Sequence, residues 1–175
     1  MSGLDLLETE RLVLSGWHMD QVDDLVRLHG DERVARYLDA DGRPWDRAKC
    51  EARVALWLDN FANHRMGKLR VRRKSDGVLV GRAGFGLHGA RGEPEIGYAI
   101  YPEFHGNGFA TEAATALRDW LFRETDWMYF LGFADVRNAP SLAVLARIGM
   151  VPTHVGLLDG QAAQFHIMHK GQLEA

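Results

Sequence analysis

The stretch 93–115, EPEIGYAIYPEFHGNGFATEAAT, decides how this chain is read. Residues 95–100 are an apolar extended run that ends at Tyr101-Pro102. A loop with two glycines, Gly106 and Gly108, follows, and a helical pattern begins at once, with Ala110, Ala113, Ala114, Leu117 and Leu121 recurring on one face. A strand that passes through a glycine loop into a helix start turns several unbonded backbone N–H groups toward one point. The positive end of the helix dipole adds to them, and the combination suits an anion. Glycine lets the backbone approach such a ligand with no Cβ in the way. No Lys-Ser/Thr pair follows at P-loop spacing, and Thr111 stands where a dinucleotide fingerprint wants Gly or Ala. On these residues alone an ordinary tight turn is as good a reading as an anion site.

Upstream, 11–14 is a short apolar run suited to a strand. Asp20 is placed to cap a helix over 20–29, and a second short helix starts at Asp31. The loop 39–44 leads into a long helix over 45–63, with Ala48, Ala52, Ala55, Leu56 and Phe61 as its apolar face. The pattern then changes to period two over 69–74, turns at Ser75-Asp76-Gly77 and returns as a strand over 78–87. The basic run Arg70, Arg72, Arg73, Lys74 reads as a solvated strand edge that discourages edge pairing. Downstream come a strand over 127–136, a helix opened by Asn138-Ala139-Pro140-Ser141 and stopped by Gly149, and two closing strands over 151–157 and 163–168. This order predicts one mixed α/β (α+β) domain over 1–175, not a regular βα array.

The formal net charge of -3 gives no general recruitment of nucleic acid. The lone cysteine, Cys50, can form neither an intrachain disulfide nor a thiolate metal site. The N-terminus has acids and no long apolar run, and no window approaches the ~20 apolar residues of a membrane span. A cytoplasmic setting is expected. Among the eight histidines, His166 and His169 would point to opposite faces of a strand, so no metal site is predicted.

Read together, Glu95-Ile96-Gly97-Tyr98, Tyr101-Pro102-Glu103-Phe104 and residues 106–113, Gly-Asn-Gly-Phe-Ala-Thr-Glu-Ala, resemble the acyl-CoA motif of the GNAT N-acetyltransferase superfamily. Asn138-Ala139-Pro140-Ser141 and residues 145–150 resemble its second signature, and the start Leu7-Glu8-Thr9-Glu10-Arg11-Leu12 looks most like the RimJ/RimL-type branch. The resemblance spans residues 7–169. It implies a mixed, mostly antiparallel sheet of six to seven strands with splayed central strands, flanked by helices. It implies acetyl-CoA as co-substrate and an amine acceptor, either a protein N-terminus or a small molecule. A homodimer through the C-terminal strands is compatible with it.

The resemblance also distributes roles. His105, Gly106, Asn107, Gly108, Phe109, Ala110 and Thr111 would wrap the CoA pyrophosphate. Tyr98, Ala99 and Ile100 would pair with the pantetheine arm, and a bulge at Gly97 would supply the splay. A backbone N–H near Ile100 would meet the oxyanion. Glu95 is the expected base, with Asp135 second. Asn138 either binds the CoA arm or caps its helix, and Ser141 would lie near the sulfur as a proton donor. The chain departs from the pattern at His105, where the family has Gln or Arg, and at Leu145, where some branches place an acidic tyrosine. Those departures leave open a CoA-binding module without efficient catalysis, and the loop alone leaves open a nucleotide- or phosphate-binding protein.

Overall fold

The computed structural model describes residues 5–39 and 41–173. Ala40, in the loop expected over 39–44, lies outside the described residues. Eight strands form one sheet: β1 (Asp5–Glu8), β2 (Leu12–Ser15), β3 (Lys68–Arg73), β4 (Leu79–His88), β5 (Glu93–Ile100), β6 (Tyr129–Asp135), β7 (Val151–Leu158) and β8 (Gln161–His169). Their order is β1-β2-β3-β4-β5-β6-β8-β7, and every neighbouring pair is antiparallel except β5 with β6. Among the described residues the α-helices are α1 (Val22–His29), α2 (Glu32–Ala35), α3 (Arg47–His64), α4 (Phe109–Glu124) and α5 (Ala139–Arg147). Among the described residues no helix is long and apolar enough to cross a membrane.

The sheet has one strand more than the six or seven expected. The addition is β1, whose four residues hold only Leu6 and Leu7 between acids, too short a run to show a period. The strand β3 is interior, between β2 and β4, so the basic run is not a sheet edge. Its charges are instead matched one by one: Arg70 with Asp24, Arg72 with Asp5, Arg73 with Asp76 and Lys74 with Glu8.

One face of the sheet carries Val71, Ala83, Phe85, Ile96 and Phe130 against Ala113, Ala114, Leu117 and Leu121 of α4 and Leu145 of α5. The alanines let α4 lie close to the strands. The other face is covered by α1 and α3. There the buried stripe of α3 is Cys50, Val54, Trp57 and Phe61; of the expected face only Phe61 is in it, the alanines lie outside it, and Leu56 is 46% exposed. A methyl group costs little to leave in water, whereas Trp57 packs its ring on Trp17 and on the guanidinium of Arg82.

The parallel pair decides where a ligand can enter. Strands β5 and β6 meet only at Glu95–Leu131 and Ile96–Gly132 and then diverge. Against β4, β5 keeps an unbroken register from Glu93 to Ile100, with Gly97 opposite Gly84. The splay therefore arises without the bulge expected at Gly97. The β5–α4–β6 crossover opens the gap on one side of the sheet and places the N-terminus of α4 at its mouth.

Candidate active site

Beyond Ile96 the β6-facing edge of β5 has no strand partner. Tyr101 donates its N–H to Val80 on β4. Alternation along the strand then turns the N–H and C=O of Tyr98 and the N–H of Ile100 away from β4, into the gap, while the Ile100 carbonyl is met by the His105 ring. An extended amide chain can pair there as an extra strand.

At the mouth of the gap Gly106 and Gly108 have φ of 79° and 76°, the left-handed region that favours glycine. The first α4 bond runs from Glu112 N–H to the Gly108 carbonyl. Among the described residues, the N–H groups of Gly106, Asn107, Gly108, Phe109, Ala110 and Thr111 have no protein acceptor. Asn107 faces inward to hold the loop, its Nδ2 donating to the carbonyls of Phe104 and His105. His105 differs from its expected role. Its N–H donates to Pro102, and its Nε2 is 2.9 Å from the Ile100 carbonyl, so the ring ties the loop to the end of β5. A cation that the sequence reading missed stands nearer: an added Cβ on Gly108 would meet Arg11 Nη2 at 3.7 Å. Arg11 is held by Glu112 in the first turn of α4 (Nε–Oε2 2.6 Å), and Glu112 also accepts from Thr9 Oγ1 and the Arg11 N–H. The Thr9-Glu10-Arg11 turn thus fastens β1 and β2 to the anion loop.

Across the gap, Asn138 Oδ1 caps α5 by accepting from the Ser141 N–H at 3.3 Å. Ser141 Oγ donates to the Tyr98 hydroxyl at 3.2 Å, and that hydroxyl donates to the Ser141 carbonyl at 2.8 Å. This pair joins the diverging elements β5 and α5. Burial pushes the Tyr98 phenol well above its ordinary pKa, which keeps it protonated.

Glu95 lies at the closed end of the gap on the face covered by α1 and α3. Its Oε2 is 2.8 Å from Nζ of Lys68, a residue the sequence reading did not single out. That ammonium also donates to the carbonyls of Glu95 (3.2 Å) and Gly84 (3.3 Å). The two side chains are 11% and 14% exposed. Burial lowers the Lys68 pKa, and the Glu95 charge opposes that shift. The space for the ammonium is made by glycine: a Cβ on Gly97 would sit 2.5 Å from Nζ. Glu95 Oε1 has no protein donor among the described residues and is not among the enclosed polar atoms, so a solvent molecule can reach it. Asp135, the second base candidate, is occupied. Arg137 binds both its oxygens (2.9 and 2.6 Å) and its main-chain N–H adds a third bond, which together hold the carboxyl below its ordinary pKa.

Cys50 is fully buried and its thiol is pushed up to about 11 by desolvation. His166 is buried on β8 and His169 is exposed.

The profile of the acetyltransferase (GNAT) domain matches residues 11–151. The chain belongs to this family. It is 25% identical over 144 residues to the N-acetyltransferase p20 of Bacillus licheniformis, itself uncharacterized, covering 81% of this chain and 80% of that protein. An acetyltransferase from Agrobacterium tumefaciens str. C58 superposes with a TM-score of 0.81 at 27% identity over 94% of each chain. RimL, a ribosomal L7/L12 alpha-N-protein acetyltransferase solved with coenzyme A, superposes with a TM-score of 0.79 at 17% identity, over 94% of this chain and 97% of that one. At that identity the likeness is one of fold.

Proposed function

We propose that this GNAT acetyltransferase transfers the acetyl group of acetyl-CoA directly to a primary amine, in a complex that holds both substrates. The observation that carries the reading is the unpaired edge of β5 leading to six unbonded N–H groups at the start of α4. An extended amide arm ending in a pyrophosphate matches that sequence of features. The pyrophosphate lies on residues 106–111, with Arg11 at the side in place of the cation His105 does not supply. The pantetheine amides pair with Tyr98 and Ile100. The start at 7–12 and Ser141 resemble the RimJ/RimL-type branch, and we assign the chain to it.

The reaction forms an N–C bond at the thioester carbonyl and breaks the C–S bond. A cleft-facing N–H of Tyr98 or Ile100 meets the oxygen as it becomes negative. Glu95 takes the amine proton through Oε1, directly or through one water, while Lys68 holds Oε2 in place. The departing thiolate takes its proton from the Ser141 hydroxyl, which the Tyr98 hydroxyl positions. An α-amine, with a pKa of about 7.7–8.0, asks less of this base than a lysine at about 10.4.

Glu95→Gln tests the assignment. The variant is expected to bind acetyl-CoA as the wild type does and to lose 10²-fold or more in kcat, the order typical of a general base. Unchanged transfer across neutral and alkaline pH, with acetyl-CoA binding intact, would remove Glu95 from the role.

A further inference from the structure

The face of the sheet that carries Glu95 also carries Arg82, which no feature of acetyl-CoA binding uses. Its register partner on β5 is Ala99, beside the open edge. Arg82 is 6% exposed, yet among the described residues it has no carboxylate within ion-pair distance. Its Nε donates to His29 Nε2 at 2.9 Å, which fixes the neutral ring with its proton on Nδ1. His29 is itself fully buried and stacked on Trp45 at 3.9 Å. Burial and the surrounding cations lower its pKa well below 6.5, so it brings no charge to the group. Among the described residues the two terminal nitrogens of Arg82 have no acceptor. The residue's remaining 6% exposure leaves these donors within reach of a small ligand.

The nearby charges do not balance. Arg53 of α3 sits over the Trp45 ring at 5.5 Å and likewise has no carboxylate partner. It acts electrostatically on Arg82, as do Glu95 and Asp39. Both of those carboxylates are taken, Glu95 by Lys68 and Asp39 by Lys49 and the Trp45 indole N–H. Lys68, Lys49, Arg53 and Arg82 thus face two carboxylates. A nearly buried guanidinium without a counter-ion is costly, and a protein keeps one where a ligand supplies the missing charge. Between Arg82 and Glu95, β4 offers only Gly84 and Gly86 on this face, and the Lys68 side chain lies over them.

We infer that the Arg82–Arg53 pair is the anion subsite of the acceptor pocket, so that the amine acetylated by this enzyme carries an oxyanion group, a carboxylate or a phosphate. This rests on the acetyl-transfer reading for the amine end alone. The planar guanidinium fork suits either oxyanion by paired hydrogen bonds. Trp57, under Arg82 at 5.5 Å, and Trp45, under Arg53, hold the two cations in place.

Matched acceptors test it in two arms. In the first, amino acids are assayed against their amides, and phosphoethanolamine against ethanolamine, by thiol release from acetyl-CoA. The oxyanion-bearing member of one pair is expected to win in kcat/KM by roughly ten- to hundredfold, and the pair that shows it names the anion. Arg53→Gln, on a half-exposed helix position, and Arg82→Lys, which keeps a charge but not the fork, should each shrink that ratio. In the second arm the same amines are titrated calorimetrically into protein saturated with CoA, where no acetyl transfer can occur. Binding that requires the oxyanion and weakens in both variants supports the subsite even if no amine is acetylated, an outcome that would count against the enzyme reading alone. Equal handling of charged and neutral partners in both arms, or an oxyanion preference that survives both substitutions, overturns the subsite.

Discussion

Lys68→Met is the substitution whose consequences follow most directly from the geometry. It removes the ammonium 2.8 Å from Glu95 Oε2 and leaves a carboxylate only 14% exposed with no cation against it. Breaking one partner out of a buried pair costs about 3–5 kcal/mol. The carboxyl has an escape, which is to take a proton. For an ordinary glutamate at pH 7 that costs about 3.7 kcal/mol, or 2.7 units at 1.36 kcal/mol each. The loss of stability at pH 7 should therefore lie near 3–4 kcal/mol. It should shrink by about 1.4 kcal/mol for each unit of acidification, because protonation of the carboxyl becomes easier in the folded variant. Chemical denaturation of both proteins from pH 5 to 8 measures this. In the same variant the acid limb of the kcat profile should move to higher pH, because the base keeps its proton longer. A double-mutant cycle with Glu95→Gln should show that most of the cost disappears once the carboxylate is gone. A loss that is independent of pH and equally large in the Gln background would refute the coupling.

Three further outcomes are expected. Gly108→Ala, at a φ of 76°, should cost about 1–2 kcal/mol of stability and raise KM for acetyl-CoA, measured by denaturation and steady-state kinetics. Tyr98→Phe keeps the ring and removes the hydroxyl bridge to Ser141 at 3.2 Å, so kcat should fall with KM for acetyl-CoA little changed. His29 is held neutral in the fold, its pKa well below 6.5, while the unfolded chain takes up the proton. Stability is therefore present above about pH 6.5 and is lost by up to ~1.4 kcal/mol per unit as pH falls below it, and His29→Gln should lack that part of the slope in a pH-dependent denaturation series.

The sequence made the order of elements legible because their periods are local. Alternation in 69–74, the capped start at Asn138 and the glycine loop before α4 each declare themselves within a few residues. What stayed hidden depends on distance in the chain. Glu95 was recognisable as a strand carboxylate, but its partner Lys68 lies 27 residues away and reads as one more polar residue on an alternating strand. Arg82 and His29 are separated by 53 residues, and nothing in the sequence says that arginine is buried. The stripe of α3 was misread because alanine is counted as apolar whichever side it faces, while Trp57 and Val54 carry the contact area that chooses the side. The splay of β5 from β6 was expected from a bulge, and it arises with the β4–β5 register intact. His105 had the right place in the loop, but its side chain turned inward to a carbonyl five residues back.

The measurement that tests the central claim most directly is acetyl transfer from acetyl-CoA to a panel of amines, followed by thiol release and by the mass of the product. The account predicts one CoA thiol released for each amine acetylated, at a rate that depends on Glu95. Tight acetyl-CoA binding with no amine acetylated above the uncatalysed rate would contradict it.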